Sequence, residues 1–338
     1  MPSPVPPARV LPKDIYPSVD IGTCSSPLSK HSFGSTLQVP SQRHQGKVAS
    51  RLWSSVIYWK ELHDVQPVGS GGFGSVYKAK YLGETVALKK VKKCTKNKLA
   101  SRQSFWAELN AAHLRHRNVV RVIAATTCVP ADFGDERSIG TIVMEYVGSR
   151  NLQQIIYGCA EEPLQPDRWL RHSSDIAHGL HFLHSHKIVH LDIKPANVLV
   201  SGEDVCKIAD FGCSVQLDTK REARDVVPMS HAGGTYTHRA PELLKGEGIS
   251  DKSDIFSFGI TMWQLITREQ PYTGDRQHVL YAVVAHNLRP KVEGRDEFQS
   301  ERGRLCKALL SGCWAAETRW RFSARDLITE LEQLQAKL

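Results

Sequence analysis

The sequence predicts an α+β fold, and three observations predict it. A glycine-rich loop, Val68 to Val76, leads into alternating strands rather than directly into a helix. The strand-like stretches that follow, up to Val147, are interrupted by a single helical segment. Beyond them, residues 165–186 carry Ile176, Leu180 and Leu183 at helical spacing. A chain of 338 residues can bury one large core or two coupled lobes.

In order along the chain, Val68-Gly69-Ser70-Gly71-Gly72-Phe73-Gly74-Ser75-Val76 is a three-glycine loop whose backbone N–H groups can approach phosphates closely. Such a loop is also compatible with a dinucleotide-binding unit, but that unit needs a helix directly after the glycines. Here Tyr77–Lys80 and Thr85–Val91 read as two strands joined at Gly83-Glu84. Lys89 to Lys98 is a basic run that invites a nuclear-localisation or nucleic-acid reading, but it reads better as a solvated loop before a helix. Ser104–Arg115 reads as that helix, with Phe105, Leu109 and Ala112 inward and Glu108 as its one acid. Val119–Thr127 and Ile139–Tyr146 read as further strands, and Val198-Leu199-Val200 as a short one. His178, His181 and His184 recur every third residue of 165–186, but no Asp, Glu or Cys shares the spacing, so they read as surface or capping histidines.

His190-Leu191-Asp192-Ile193-Lys194-Pro195-Ala196-Asn197 places a carboxylate, an ammonium and a carboxamide in one short turn. Asp192 can orient or deprotonate a hydroxyl, Lys194 can hold a phosphate oxygen, and Asn197 can help bind a divalent metal. These are the needs of phosphoryl transfer, where positioning and charge neutralisation supply most of the catalysis.

This stretch resembles the catalytic loop of eukaryotic protein kinases, and the resemblance extends from about residue 62 to the C-terminus. It implies a two-lobed fold, with a small mainly β lobe carrying one helix and a large mainly α lobe. It further implies ATP and Mg²⁺ as cofactors and a protein substrate. By the same resemblance, Lys89 of Val86-Ala87-Leu88-Lys89 contacts the α- and β-phosphates and Glu108 pairs with it. Val76 and Ala87 cover the adenine and Leu199 closes it from below. Met144 limits the pocket behind it, and the backbone of Glu145 and Val147 bonds the base. Asp210 of Asp210-Phe211-Gly212 joins Asn197 at the metal. Thr235, ahead of Ala240-Pro241-Glu242, is implied to bond near Asp192 and Lys194, and both Thr235 and Lys194 point to serine/threonine specificity. Asp254 is implied to hold the catalytic loop from below, and Arg321 to pair with Glu242.

Lys93 to Arg102, Ser104 to Asn110, Gly233 to Glu242 and Arg276 to Ala285 carry a narrower resemblance, to vertebrate serine/threonine kinases that activate MAP kinase kinase and help hold oocytes in meiotic arrest. One departure stands out. Most kinases have arginine where Leu191 stands, and that arginine usually holds a phosphorylated activation-loop residue, so this route of control is not expected here. A kinase-fold scaffold without catalysis is the rival class. Its usual sign is loss of the strand lysine, the base or the Asp-Phe-Gly aspartate, and Lys89, Asp192 and Asp210 are all present.

Composition narrows the rest. The formal net charge of +9 suits nucleic acid, an anionic membrane or an acidic protein alike, but no aromatic-interleaved basic motif supports a nucleic-acid role. Eight cysteines without a Cys-x-x-Cys pair read as reduced thiols. No apolar run reaches the roughly 18 residues that span a bilayer, and no signal peptide is read at Met1-Pro2-Ser3-Pro4, so the expected place is the cytoplasm. Residues 1–60, rich in Pro and Ser, read as a disordered tail before a kinase domain at 62–336, with Ser3-Pro4 and Ser26-Pro27 as candidate proline-directed phosphorylation sites.

Overall fold

The computed structural model describes residues 54–71, 74–92, 98–130, 138–158, 165–217 and 236–337. Along them run β1 (Leu62–Gly71), β2 (Gly74–Tyr81), β3 (Glu84–Lys92), α1 (Lys98–Glu108), β4 (Val122–Thr126), β5 (Ser138–Glu145), β6 (Arg150–Asn151), α2 (Leu152–Tyr157) and α3 (Pro166–Ser185). Then follow β7 (Ile188–Val189), β8 (Val198–Val200), β9 (Cys206–Ile208), β10 (Val215–Gln216), α4 (Pro241–Lys245), α5 (Lys252–Thr267), α6 (Arg276–Ala285), α7 (Glu301–Cys313) and α8 (Ala324–Ala336).

The alternating stretches form an antiparallel five-stranded sheet in the order β1-β2-β3-β5-β4. Its two faces bury separate clusters, one around Phe105, Ile142 and Met144, the other around Tyr81, Leu88 and Val143. The rest is mainly helical. One face of α3 and almost every side of α5 are buried in a single large core, which includes Leu170, Leu180, Phe256, Phe258 and Trp263. A helix apolar all round belongs inside, and α5 is the beam on which the second lobe is assembled. The two-lobed α+β expectation holds.

Several boundaries differ from the sequence reading, each for a local reason. The β2–β3 turn is Leu82-Gly83, not Gly83-Glu84. Both residues take positive φ, 50° and 82°, the backbone that matches the twist of a two-residue hairpin. The helix is α1, ending at Glu108 rather than running to Arg115. Past Glu108 the bonds tighten to i→i+3, Leu109 N–H to the Trp106 carbonyl (3.1 Å) and Asn110 N–H to that of Ala107 (3.0 Å). The Asn110 side chain turns away to donate to the Ser214 carbonyl and Oγ, both at 3.2 Å. Val119 leaves the predicted strand because it bridges to Ile208 of β9 instead of joining β5.

Ser54–Trp59, assigned by sequence to the tail, is part of the small lobe. Ser54 lies parallel to edge strand β4, its N–H on the Ile123 carbonyl and its own carbonyl taking the Ala125 N–H, both 2.9 Å. Ile57 is 4% exposed, inserted among Tyr81, Leu88 and Val143. Covering a sheet edge removes a site for unwanted pairing, and burying the isoleucine adds apolar contact. Ile57→Ala is expected to cost about 2–5 kcal/mol, read as a clear fall in thermal midpoint. A midpoint within about 2 °C of the parent would contradict that packing. The rest of the tail, residues 1–53, lies outside the described residues.

Candidate active site

The site sits where the sheet meets the helical lobe, and three chain segments build it. From β3, Lys89 lies at the register position between Val76 on β2 and Ile142 on β5. Its ammonium bonds Glu108 Oε2 at 2.9 Å and Asp210 Oδ1 at 2.8 Å at the same time. Burial pushes the Lys89 ammonium towards its neutral form, but the two carboxylates outweigh burial and keep its pKa above the ordinary value. The carboxylates divide this one cation unequally. Burial lifts Glu108 despite Lys89, whereas burial of Asp210 is overcome by Lys89 and its pKa falls.

The second segment begins at β7. His190 N–H and Leu191 N–H each donate to the fully buried Asp254 on α5, at 2.8 Å to separate oxygens. Leu191 is held at φ 64°, a left-handed conformation that costs a non-glycine residue roughly 1–2 kcal/mol. Asp254 supplies the hydrogen bonds that hold it there, as expected for this aspartate. His184 adds a third contact, Nε2 to Asp254 Oδ2 at 2.9 Å, so this histidine is an internal brace rather than a surface or capping residue. His181 is exposed, and His178 bonds the Ser174 carbonyl within its own helix.

The strained turn presents Asp192, which is 5% exposed. Lys194 Nζ donates to Asp192 Oδ2 at 2.8 Å. The Asn197 amide nitrogen donates to the same oxygen (2.8 Å) and to the Asp192 carbonyl (2.9 Å). Asn197 therefore turns its own carbonyl oxygen away from Asp192.

The third segment follows β9. Asp210 takes φ 62° and ψ 73° before the tight turn Phe211–Cys213. Phe211 stacks edge-on against the His190 ring, centroids 4.9 Å apart. A Cβ on Gly212 would come within 2.5 Å of Ser104 Oγ on α1, so a larger residue would force that hydroxyl aside.

The expected nucleotide-lining residues are also brought together. Ala87, Val147 and Leu199 pack against one apolar cluster that contains Met144. Gly69, Ser70 and Gly71 of β1 pair with Val76, Ser75 and Gly74 of β2, and Val68 sits at the register shift just before them. The Glu145 N–H is committed to the Arg121 carbonyl at 3.0 Å, so its carbonyl is what it can offer a base. Gly72, Phe73 and Thr235 lie outside the described residues.

Sequence reading assigned no role to the Glu145 side chain. It accepts from Arg121 N–H (2.8 Å) and from Lys207 Nζ (3.0 and 3.1 Å), tying β5 to β9 across the back of the cleft. The available signal was Lys207 itself, a lone cation in an apolar strand three residues before Asp210.

A divalent cation suits this donor set. The Asp210 side chain is about one-third exposed, and the outward Asn197 carbonyl is a second hard oxygen donor of the kind such ions take.

A small sheet lobe on a helical lobe, with a lysine, a helix glutamate and two aspartates meeting between them, defines the protein kinase class. A family model for the protein kinase domain matches residues 62–331. The chain is 52% identical to the serine/threonine-protein kinase mos of Xenopus laevis, over 98% of this chain and 93% of that protein. It is 48% identical to the mos kinase of Gallus gallus and 49% identical to the proto-oncogene serine/threonine-protein kinase mos of Sus scrofa, over 100% of each chain in both cases. The chain belongs to the protein kinase family, among its Mos serine/threonine kinases. It is a serine/threonine protein kinase, and family membership brings with it ATP, a divalent metal and a protein substrate. Among the described residues no helix is long and apolar enough to cross a membrane.

Proposed function

We propose that Asp192 orients the acceptor serine or threonine hydroxyl and takes its proton, while Lys194 holds a phosphate oxygen beside it. Lys89, positioned by Glu108, holds the α- and β-phosphates of ATP under the Val68–Val76 loop. Val76 and Ala87 cover the adenine, Leu199 supports it from below and Met144 closes the pocket behind it. The Glu145 carbonyl and the Val147 N–H bond its edge. Asn197 and Asp210 hold Mg²⁺, which when bound neutralises charge on the phosphate oxygens. Thr235 hydrogen-bonds near Asp192 and Lys194. The observation that carries this reading is the double pairing of Lys89 with Glu108 and Asp210, beside an Asp192 already oriented by Lys194 and Asn197. The same pairing weighs against a catalytically weak scaffold, which does not need those contacts.

The substrate we propose is MAP kinase kinase, activated in the cytoplasm during oocyte meiotic maturation and metaphase arrest. Support comes from the likeness to Mos kinases over the whole chain. The test is transfer of label from γ-labelled ATP by the purified full chain to a catalytically dead MAP kinase kinase. Label on its serine or threonine residues, lost in an Asp192→Asn control, is expected. Label on a general acceptor protein but none on MAP kinase kinase would contradict the substrate and leave the kinase standing.

A further inference from the structure

Beside Asp192 the chain turns through Tyr236–His238, and that turn is fixed from behind. Ser257 Oγ on α5 donates to the His238 carbonyl at 2.8 Å, and Gln264 meets His238 Nε2 at 2.6 Å. Burial pushes the His238 imidazole down to about 4, so it carries no charge at physiological pH.

Three basic side chains lie on this flank, beside the carboxylates of Asp192 and Asp275. Lys194 is 2.8 Å from Asp192. Arg239 is near enough to Asp192 and Arg276 to feel both: burial pushes its guanidinium down, Asp192 draws it up and Arg276 pushes it down again. Arg276 is exposed, with its guanidinium carbon 5.3 Å from the centroid of the Tyr236 ring.

Arg276 is the first residue of α6, where the positive end of the helix dipole disfavours a cation. The preceding Asp275 does the stabilising work there, with Oδ1 accepting from Gln277 N–H (2.8 Å) and His278 N–H (3.2 Å). Helix stability therefore does not account for Arg276. The ring contact does something else, since a guanidinium resting on an aromatic face is partly ordered before any partner arrives.

We propose that Arg276, resting on Tyr236, is a specificity determinant that selects acceptor proteins with an acidic side chain close to the phosphorylated serine or threonine. This rests on the reading that the acceptor hydroxyl lies at Asp192. An acidic neighbour would meet the Arg276 guanidinium there, and a basic neighbour would be repelled by it.

The test uses the full chain and serine peptides that differ only in residues within three of the serine, on either side: aspartate, asparagine or lysine. The parent is expected to favour an aspartate peptide over its asparagine counterpart about threefold in kcat/KM and over the lysine peptide roughly tenfold, less so at high salt. In Arg276→Gln the ratio should fall towards one, and in Arg276→Glu it should invert. Arg276→Glu also suits the helix dipole, so loss of fold is not expected to obscure the result. Equal kcat/KM for aspartate and lysine peptides on both sides, or a ratio unmoved in Arg276→Glu, would overturn the proposal. Asp192→Asn separates the two readings. If that variant is inactive while the parent ratio is flat, the acceptor site stands and the role of Arg276 fails. If it stays active, the acceptor site itself is misread.

Discussion

Asp192→Asn is expected to lower kcat by about 10²–10⁴-fold while leaving nucleotide affinity close to that of the parent. The two side chains have the same shape, and the amide oxygen can still accept from Lys194 and Asn197, which meet Asp192 at 2.8 Å each. What disappears is the negative charge and the affinity for a proton, worth about 3–5 kcal/mol of barrier at that fold-change. The apolar residues proposed to line the base, Ala87, Met144 and Leu199, belong to other segments, so binding and turnover should separate cleanly. Rapid-mixing phosphate transfer alongside nucleotide titration reads both quantities. Turnover within tenfold of the parent would remove Asp192 from the proposed role.

The largest expected effect on stability comes from Glu242→Gln. Arg321 is 2% exposed and makes two parallel bonds to Glu242, at 2.7 and 2.8 Å, while Ser253 Oγ donates to the same carboxylate at 2.8 Å. The pair ties α4, just after the Tyr236–His238 turn, to the start of α5 and to the segment before α8. Removing one charge leaves a buried guanidinium uncompensated, which costs about 3–5 kcal/mol. That is a large share of the roughly 5–15 kcal/mol that holds a domain together. Burial alone raises the carboxyl pKa of Glu242, but the bonds and charge of Arg321 prevail and hold it below its ordinary 4.5. Its contribution is therefore complete above that value and is lost as the pH falls through the lower folded-state value. Thermal midpoints between pH 7 and pH 3 should fall less steeply for Glu242→Gln than for the parent. Equal midpoints at pH 7 would show that the pair adds nothing.

How much was legible in the sequence depended on how far apart the partners lie. Asp192, Lys194 and Asn197 share one turn, so their spacing alone placed them together, and the structure joins them through a single oxygen. The strands around Lys89 could be read from alternation, whereas Lys89 itself was found by the resemblance of Val86-Ala87-Leu88-Lys89 to the kinase motif. Glu108 was identified, but its helix was displaced, because Asn110 ends that helix through a bond to Ser214, 104 residues away. His184 looked like a surface residue while only its own helix was in view; its partner Asp254 lies 70 residues further on. Ile57 was hidden by its proline-rich surroundings, since one isoleucine has no periodicity to show. The turn at Leu82 gave no signal either, because leucine rarely takes positive φ. Local chemistry was therefore readable, while contacts closed by tertiary packing were not.

Leu191 separates this chain from the general kinase pattern. The Lys89–Glu108–Asp210 cluster is closed by its own ion pairs, and the Asp192 turn is held by Asp254, Lys194 and Asn197. Leu191 packs on the large core instead of offering a donor to a phosphate. An arginine there would give a phosphorylated activation loop charge-assisted bonds of about 1.5–3 kcal/mol each. Leucine gives none, so activity should not depend on such a phosphate. The direct measurement is the specific activity of the full chain before and after exhaustive phosphatase treatment, with loss of phosphate verified by mass. Activity within about threefold of the untreated protein is the predicted result; a fall beyond roughly tenfold, equivalent to about 1.4 kcal/mol, would contradict the account.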